Sequence, residues 1–334
     1  MFAIHADELS KVFRVVRKEP GLRGALQAIV RPRYERVTAV DRVSFDIEPG
    51  EVVGYIGVNG AGKSTTIKML TGILVPTRGH VEVLGRDPHR QRVANAREIG
   101  AVFGQRTQLW WDLAFVESLN LVARIYEVPP ARYRELLKQF DDALQLGELL
   151  RVPIRSMSLG QKMRAELAAT LIHEPRIVYL DEPTIGLDLL AKERIREFIR
   201  QQNRERGTTV LLTTHDLGDI EQLCPRVIII DSGKLIYNGP LTTIKERFGR
   251  FREIRFEIQE SAPILETPAD CERVLVEPHR VTFRFDRTQT TASQVASGVM
   301  NQIEVVDFSL AEPDLASIVR QIYQGGLRVA EGRP

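Results

Sequence analysis

Eight consecutive residues, Gly57-Val58-Asn59-Gly60-Ala61-Gly62-Lys63-Ser64, fit the spacing G-x-x-x-x-G-K-[ST], and Thr65 follows them. They follow the apolar run Val52–Ile56 and precede a helical pattern over Thr65–Leu70. Glycines at these positions let backbone N–H groups turn inward around phosphate oxygens, at the positive end of the next helix. In such a cradle Lys63 reaches the terminal phosphates of a nucleotide, and the Ser64 hydroxyl ligates Mg²⁺. A second cluster lies downstream, where the apolar run Ile177-Val178-Tyr179-Leu180 delivers Asp181 and Glu182. Asp181 at a strand end can hold Mg²⁺ directly or through water, and Glu182 can polarise an attacking water as general base. Together the clusters predict a Mg²⁺-nucleotide site built from Gly57, Asn59, Gly60, Ala61, Gly62, Lys63, Ser64 and Thr65.

Between them stands Met157-Ser158-Leu159-Gly160-Gln161, ahead of a helical run from Lys162 to Ile172. It resembles the signature of ABC ATPases, usually Leu-Ser-Gly-Gly-Gln, and the resemblance spans about residues 3–245. Ser158, Gly160 and Gln161 match, while Leu159 replaces the first glycine. In that family the signature of one subunit caps the γ-phosphate held by the cradle of another. The resemblance also implies that Gln105 is the Q-loop glutamine near Mg²⁺ and the attacking water. Ile185-Gly186-Leu187-Asp188 resembles the D-loop, with Asp188 at the dimer interface, and His215 resembles the switch histidine that contacts the γ-phosphate. Glu182, His215 and Gln105 are thus the expected catalytic residues, and Ser64, Gln105 and Asp181 the expected metal ligands. One cradle and one signature per chain imply a dimer with two shared sites, expected to be a homodimer.

The elements that must position these groups read as α/β. Short, almost unbroken apolar runs at Val52–Gly57, Ile177–Leu180, Val210–Thr213 and Val227–Ile230 predict strands covered on both faces by helices. The resemblance makes this a P-loop NTPase RecA-like core with an antiparallel β subdomain, over residues 1–247. Residues from about 105 to 157 form an inserted helical lobe, with Leu136, Leu137, Phe140 and Leu144 on one face. From 248 to 334 a small α+β domain is predicted. There Ile254, Phe256 and Ile258, then Val281, Phe283 and Phe285, alternate with polar residues, and helical patterns follow near Ser293–Gln302 and Asp314–Tyr323.

ABC subunits usually stack adenine on an aromatic upstream of the cradle, and two candidates compete. Phe13 closes the strand-like run Ala3–Val12, as the family's aromatic does, whereas Tyr34 stands 29 residues ahead of Lys63. Both fit because a basic insertion, residues 14–36, separates them. It carries seven Arg or Lys residues against Glu19 and Glu35. Leu22, Leu26, Ile29 and Val30 predict a short amphipathic helix, expected to touch an anionic membrane surface or the edge of a permease; a solvated hairpin is the plainer reading. It resembles the extra helix of polysaccharide-exporting ABC ATPases. Trp110 and Trp111, just past Gln105, form an expected docking anchor for a permease, with core packing of one of them the plainer reading.

The 334 residues carry a formal net charge of +2, so no global field favours nucleic acid. Cys224 and Cys271 are the only cysteines and read as buried packing residues in a reducing compartment. No stretch reaches the roughly 18–20 apolar residues of a membrane span, and the start lacks the pattern of a leader peptide. A membrane role must therefore come through separate permease subunits, at the cytoplasmic face of a bacterial membrane. The pattern Thr184-Ile-Gly-Leu-Asp188 and the tail Ser309-Leu-Ala-Glu-Pro-Asp-Leu315 resemble drug and polysaccharide exporters, the tail matching the daunorubicin-resistance type. The resemblance thus implies an ATP-hydrolysing subunit powering export. A regulatory ATP sensor or a non-transport ABC ATPase is the alternative. The non-transport classes usually carry two cassettes in one chain, or a long coiled coil where only about 95 residues separate Lys63 from Ser158.

Overall fold

The computed structural model describes residues 1–16, 34–104, 107–214, 216–248, 251–259, 265–311 and 315–325. Gln105, His215 and most of the basic insertion (17–33) lie outside the described residues, as do Glu312–Asp314 of the tail motif. The described chain divides into two compact units, Met1–Gly239 and a second beginning at Pro240.

The first unit opens with strands β1 (Ile4–Val16), β2 (Tyr34–Ile47) and β3 (Val52–Gly57), then helix α1 (Lys63–Leu70) and strand β4 (Arg78–Val83). Helix α2 (Arg92–Glu98) leads into β5 (Ile99–Phe103), and α3 (Phe115–Ile125) and α4 (Pro130–Leu144) form the inserted lobe. The signature helix α5 (Leu159–Leu171) precedes β6 (Ile177–Asp181), α6 (Leu189–Arg206), β7 (Thr209–Thr213), α7 (Leu217–Leu223), β8 (Arg226–Asp231) and β9 (Lys234–Pro240). Six strands make one sheet in the order β5-β6-β7-β3-β8-β9, parallel from β5 through to β8. Their apolar runs are buried throughout, as strands covered on both faces require. A three-stranded antiparallel sheet, β2-β1-β4, shares a core with it through Ile4, Val43, Phe45, Tyr55, Ile67 and Leu211.

The first strand does not stop at Phe13. β1 continues to Val16 and β2 starts at Tyr34, with Arg14 opposite Arg36 and Val16 opposite Tyr34. The two ends of the insertion therefore extend a hairpin ladder whose backbone bonds outlast the aromatic. Ladder pairing needs only extended backbone, so the polar side chains at the hairpin's end do not terminate it.

The second unit holds α8 (Leu241–Phe248), β10 (Phe251–Ile258), β11 (Cys271–Glu277), β12 (Arg280–Asp286), α9 (Ala292–Met300), β13 (Val305–Ala311) and α10 (Leu315–Gly325). Its antiparallel sheet runs β11-β12-β10-β13. The alternating residues Ile254, Phe256, Ile258, Val281, Phe283 and Phe285 are all buried beneath α9, with Val295 and Val299 closing the core. Cys224 is buried, but Cys271 is only half-buried on β11, the outermost strand of the sheet among the described residues. No described helix is long and apolar enough to cross a membrane.

Candidate nucleotide site

The cradle follows directly from the sheet. Strand β3 ends at Gly57, the loop turns back, and α1 begins at Lys63 behind Gly62. Gly62 has φ 108, and a Cβ there would overlap the carbonyl oxygen of Ala39, so the backbone can pass only as glycine. Lys63 is 7% exposed, and its Nζ donates to the carbonyls of Gly57 at 2.5 Å and Val58 at 3.3 Å. Burial holds its pKa below the ordinary lysine value, against the opposing pull of Glu182 and Asp181. A desolvated ammonium so placed attracts a phosphate strongly, because few waters must be displaced.

Parallel pairing of β6 with β7 brings the acids to this point, since Asp181 lies level with Thr213. The Asp181 carboxylate accepts from Ser64 Oγ at 2.9 Å and from Thr213 Oγ1 at 2.5 Å. Hydroxyl and carboxylate form a hard-oxygen pair of the kind Mg²⁺ takes, with phosphate and water completing its shell. Glu182 follows with φ 60, a left-handed conformation rare for a side-chain-bearing residue, and its N–H donates to the Thr213 carbonyl at 2.9 Å. Asn59, Gly60, Gly62, Lys63, Ser64, Thr65, Asp181 and Glu182 line one cleft of about 260 Å³, together with Ala39. Gly57 and Ala61 shape the loop beneath it: the Gly233 N–H donates to the Ala61 carbonyl at 3.0 Å.

The strand register separates the two aromatic candidates. Phe13 pairs with Val37 and Lys11 with Val40, so these four share a face of the hairpin. Val40 on that face packs against Gly62 of the cradle, and Lys11 Nζ sits 5.4 Å from the Phe13 ring centre. Tyr34 belongs with Arg36 and Thr38 on the opposite face and is 62% exposed.

Ser158 caps the signature helix, accepting from Gln161 N at 3.3 Å while Gln161 Oε1 accepts from Ser158 N at 2.8 Å. Leu159 is the first helical residue, where glycine is not needed. Its side chain is 44% exposed and leans on Gly186 of the Ile185–Asp188 loop. Gly160 faces Leu187 and Ala191 of the following segment. Asp188 caps α6, accepting from Ala191 N at 2.9 Å.

Two residues that motif reading passed over tie these loops together. Asp219 on α7 is fully buried and bonds Arg196 at 2.5 and 2.7 Å, the Thr184 hydroxyl, and the Thr214 hydroxyl at 3.4 Å. It thereby joins the segments flanking Glu182 and His215. Glu166, on α5, accepts from Thr107 Oγ1 at 2.6 Å and Gln108 N at 3.0 Å, fastening the chain just past Gln105 to the signature helix. Burial lifts its pKa above the usual carboxylate range, against those bonds. The only sequence signal for either was an acid inside an otherwise apolar helical face.

Trp110 and Trp111 are 41% and 53% exposed, so neither is a core residue. Lys162 Nζ lies 4.6 Å from the Trp111 ring centre.

The profile of the family described as ABC transporter matches residues 40–185. The chain is 32% identical over 312 residues to the daunorubicin resistance ATP-binding protein DrrA3 of Streptomyces coeruleorubidus, covering 90% of this chain and 95% of that one. It is 37% identical over 222 residues to the Nod factor export ATP-binding protein I of Paraburkholderia xenovorans, covering 66% and 72%. Among solved structures, one described as the ATP binding subunit of an ABC transporter superposes with a TM-score of 0.61 at 26% identity, over 74% of this chain and 93% of that one.

Proposed function

This chain belongs to the ABC transporter ATP-binding family, and from that premise we propose that it hydrolyses ATP to drive export through separate permease subunits. Members of this family bind ATP, and the relatives named for drug resistance and Nod factor export favour the export direction. The observation that carries the hydrolytic reading is the convergence of Lys63, the Ser64–Asp181 pair and the left-handed Glu182 on one cleft.

In this reading the cradle from Gly57 to Thr65 wraps the phosphates, and Lys63 neutralises their charge. Ser64 and Asp181 would hold Mg²⁺, which supplies charge neutralisation at the β- and γ-oxygens when bound. Glu182 takes the proton from the attacking water, Gln105 and His215 complete the site, and Phe13 stacks the adenine. The last role is supported by the face Phe13 shares with Val40, which packs on the cradle. The signature Ser158-Leu159-Gly160-Gln161 serves the cradle of a second subunit. Exposed Leu159, Ile185, Leu189 and Leu190 around the signature and Asp188 supply an apolar surface for that dimer. Trp110 and Trp111 offer the permease an aromatic anchor, and the subunit works peripherally at the cytoplasmic face.

Glu182→Gln tests this directly. Loss of a general base lowers turnover by roughly 10²–10⁴-fold, while ATP affinity stays within the error of measurement. The variant also elutes as a dimer in ATP and as a monomer without it. Undiminished turnover, or turnover lost together with ATP binding, would defeat the assignment.

A further inference from the structure

A second cavity, of about 680 Å³, is separate from the nucleotide cleft. It lies over the face of the β2-β1-β4 sheet opposite Phe13 and Val37, and its charge comes from three strands. Arg14 on β1 stands directly opposite Arg36 on β2, Val12 opposite Thr38, and Ser10 opposite Arg78 on β4. Arg42, at a left-handed φ of 51, adds a fourth guanidinium.

Two carboxylates, Glu8 and Asp41, line the same cavity, and Asp41 is engaged with Arg42 at 3.5 Å. Among the described residues Arg14, Arg36 and Arg78 have no ion-pair partner. Like charges directly opposite one another destabilise a strand pair, so Arg14 and Arg36 stand at a cost that a shared anion would remove. Their Cβ atoms lie about 5 Å apart, as cross-strand neighbours do. Ser10, beside Arg78, is four residues or roughly 13 Å along the strand from Arg14, a span that extended arginines close.

We propose that this cleft binds a phosphate-bearing group, carried by a lipid headgroup or by a soluble phosphoester. Guanidinium forks match phosphate oxygens two at a time. A phosphate offers three oxygens to groups arriving from different strands, where a single carboxylate offers two. The cavity leaves room for the organic part of such a molecule.

The test uses the full chain with ADP and Mg²⁺ saturating the cradle. Glycerol 1-phosphate is titrated calorimetrically, and flotation compares phosphatidylcholine vesicles with and without phosphatidylglycerol. Arg14→Gln/Arg36→Gln should weaken binding at least tenfold, and Arg78→Gln, on a separate strand, should weaken it too. Arg200→Gln/Arg204→Gln, which removes the same charge from two ion-paired arginines of α6, should not. Without phosphate, the Arg14/Arg36 variant should melt no lower than the parent, because a like-charge pair has been removed. Binding of vesicles competed by glycerol 1-phosphate identifies a lipid source, and binding of the soluble ester alone identifies a free one. The proposal is overturned by equal effects of the two double substitutions, by equal stabilisation with chloride at matched ionic strength, or by tighter binding of a polyglutamate peptide.

Discussion

Replacing Asp219 with asparagine tests how the loops next to Glu182 and His215 are held. Asp219 is fully buried, and the Arg196 side chain facing it is 6% exposed, with contacts at 2.5 and 2.7 Å. Removing one charge of a buried pair leaves the other uncompensated, which typically costs about 3–5 kcal/mol. Glu193 also reaches Arg196, at 3.1 Å from a more exposed position, and leaves part of the orphaned charge compensated. The loss should therefore fall near the lower end, about 3 kcal/mol, or a fall in Tm of roughly 6–12 °C for a unit of this size. Thr184 and Thr214 lose their shared acceptor in the same step, so ATP turnover should drop with Glu182 and the cradle chemically intact. Calorimetric melting and ATPase assays on the same preparations read both effects. Asp219→Leu combined with Arg196→Met should recover most of the stability, since an apolar replacement of both partners removes the orphaned charge. An unchanged Tm for Asp219→Asn, or a double variant no better than the single, would refute the argument.

Two other outcomes follow from the same geometry. Trp110→Ala/Trp111→Ala should leave the ATPase rate of the isolated subunit unchanged while abolishing its response to the reconstituted permease; a retained response would remove the tryptophans from the docking surface. His173 is half-buried, stacks on Tyr126 at 3.8 Å and bonds the Ile99 carbonyl at 3.0 Å, and desolvation lowers its pKa from the usual 6.5. A depressed folded-state pKa stabilises the fold above pH 6.5, and that stability is lost as pH falls through the folded value. The parent should thus lose Tm between pH 7 and 5 more steeply than His173→Gln, as thermal scans across that range would show.

The local chemistry of this protein was legible in its sequence. The loop from Gly57 to Thr65 was legible because its spacing alone sets where its backbone N–H groups and Lys63 stand. The run Ile177–Leu180 delivers Asp181 because an unbroken apolar strand must be buried and must end where polar residues begin. The alternation in β10 and β12 marked a half-buried sheet for the same reason. Strands β11 and β13 left no such trace, because nearly all their residues, apolar and polar alike, are exposed.

What tertiary structure decided depends on pairing across long stretches of chain. Ser64 meets Asp181 only because β3, β7 and β6 are neighbours in one sheet. Asp219 became a hub because α7 brings it beside Arg196, Thr184 and Thr214, residues no local spacing connects. Phe13 and Tyr34 both fit the sequence pattern, and the hairpin register puts them on opposite faces. A one-residue change of register flips every side chain, and the irregularity between Lys11 and Val12 that sets this one has no signature in composition. The same parity gathered Arg14, Arg36 and Arg78 over a single cavity, where the sequence showed only a basic stretch.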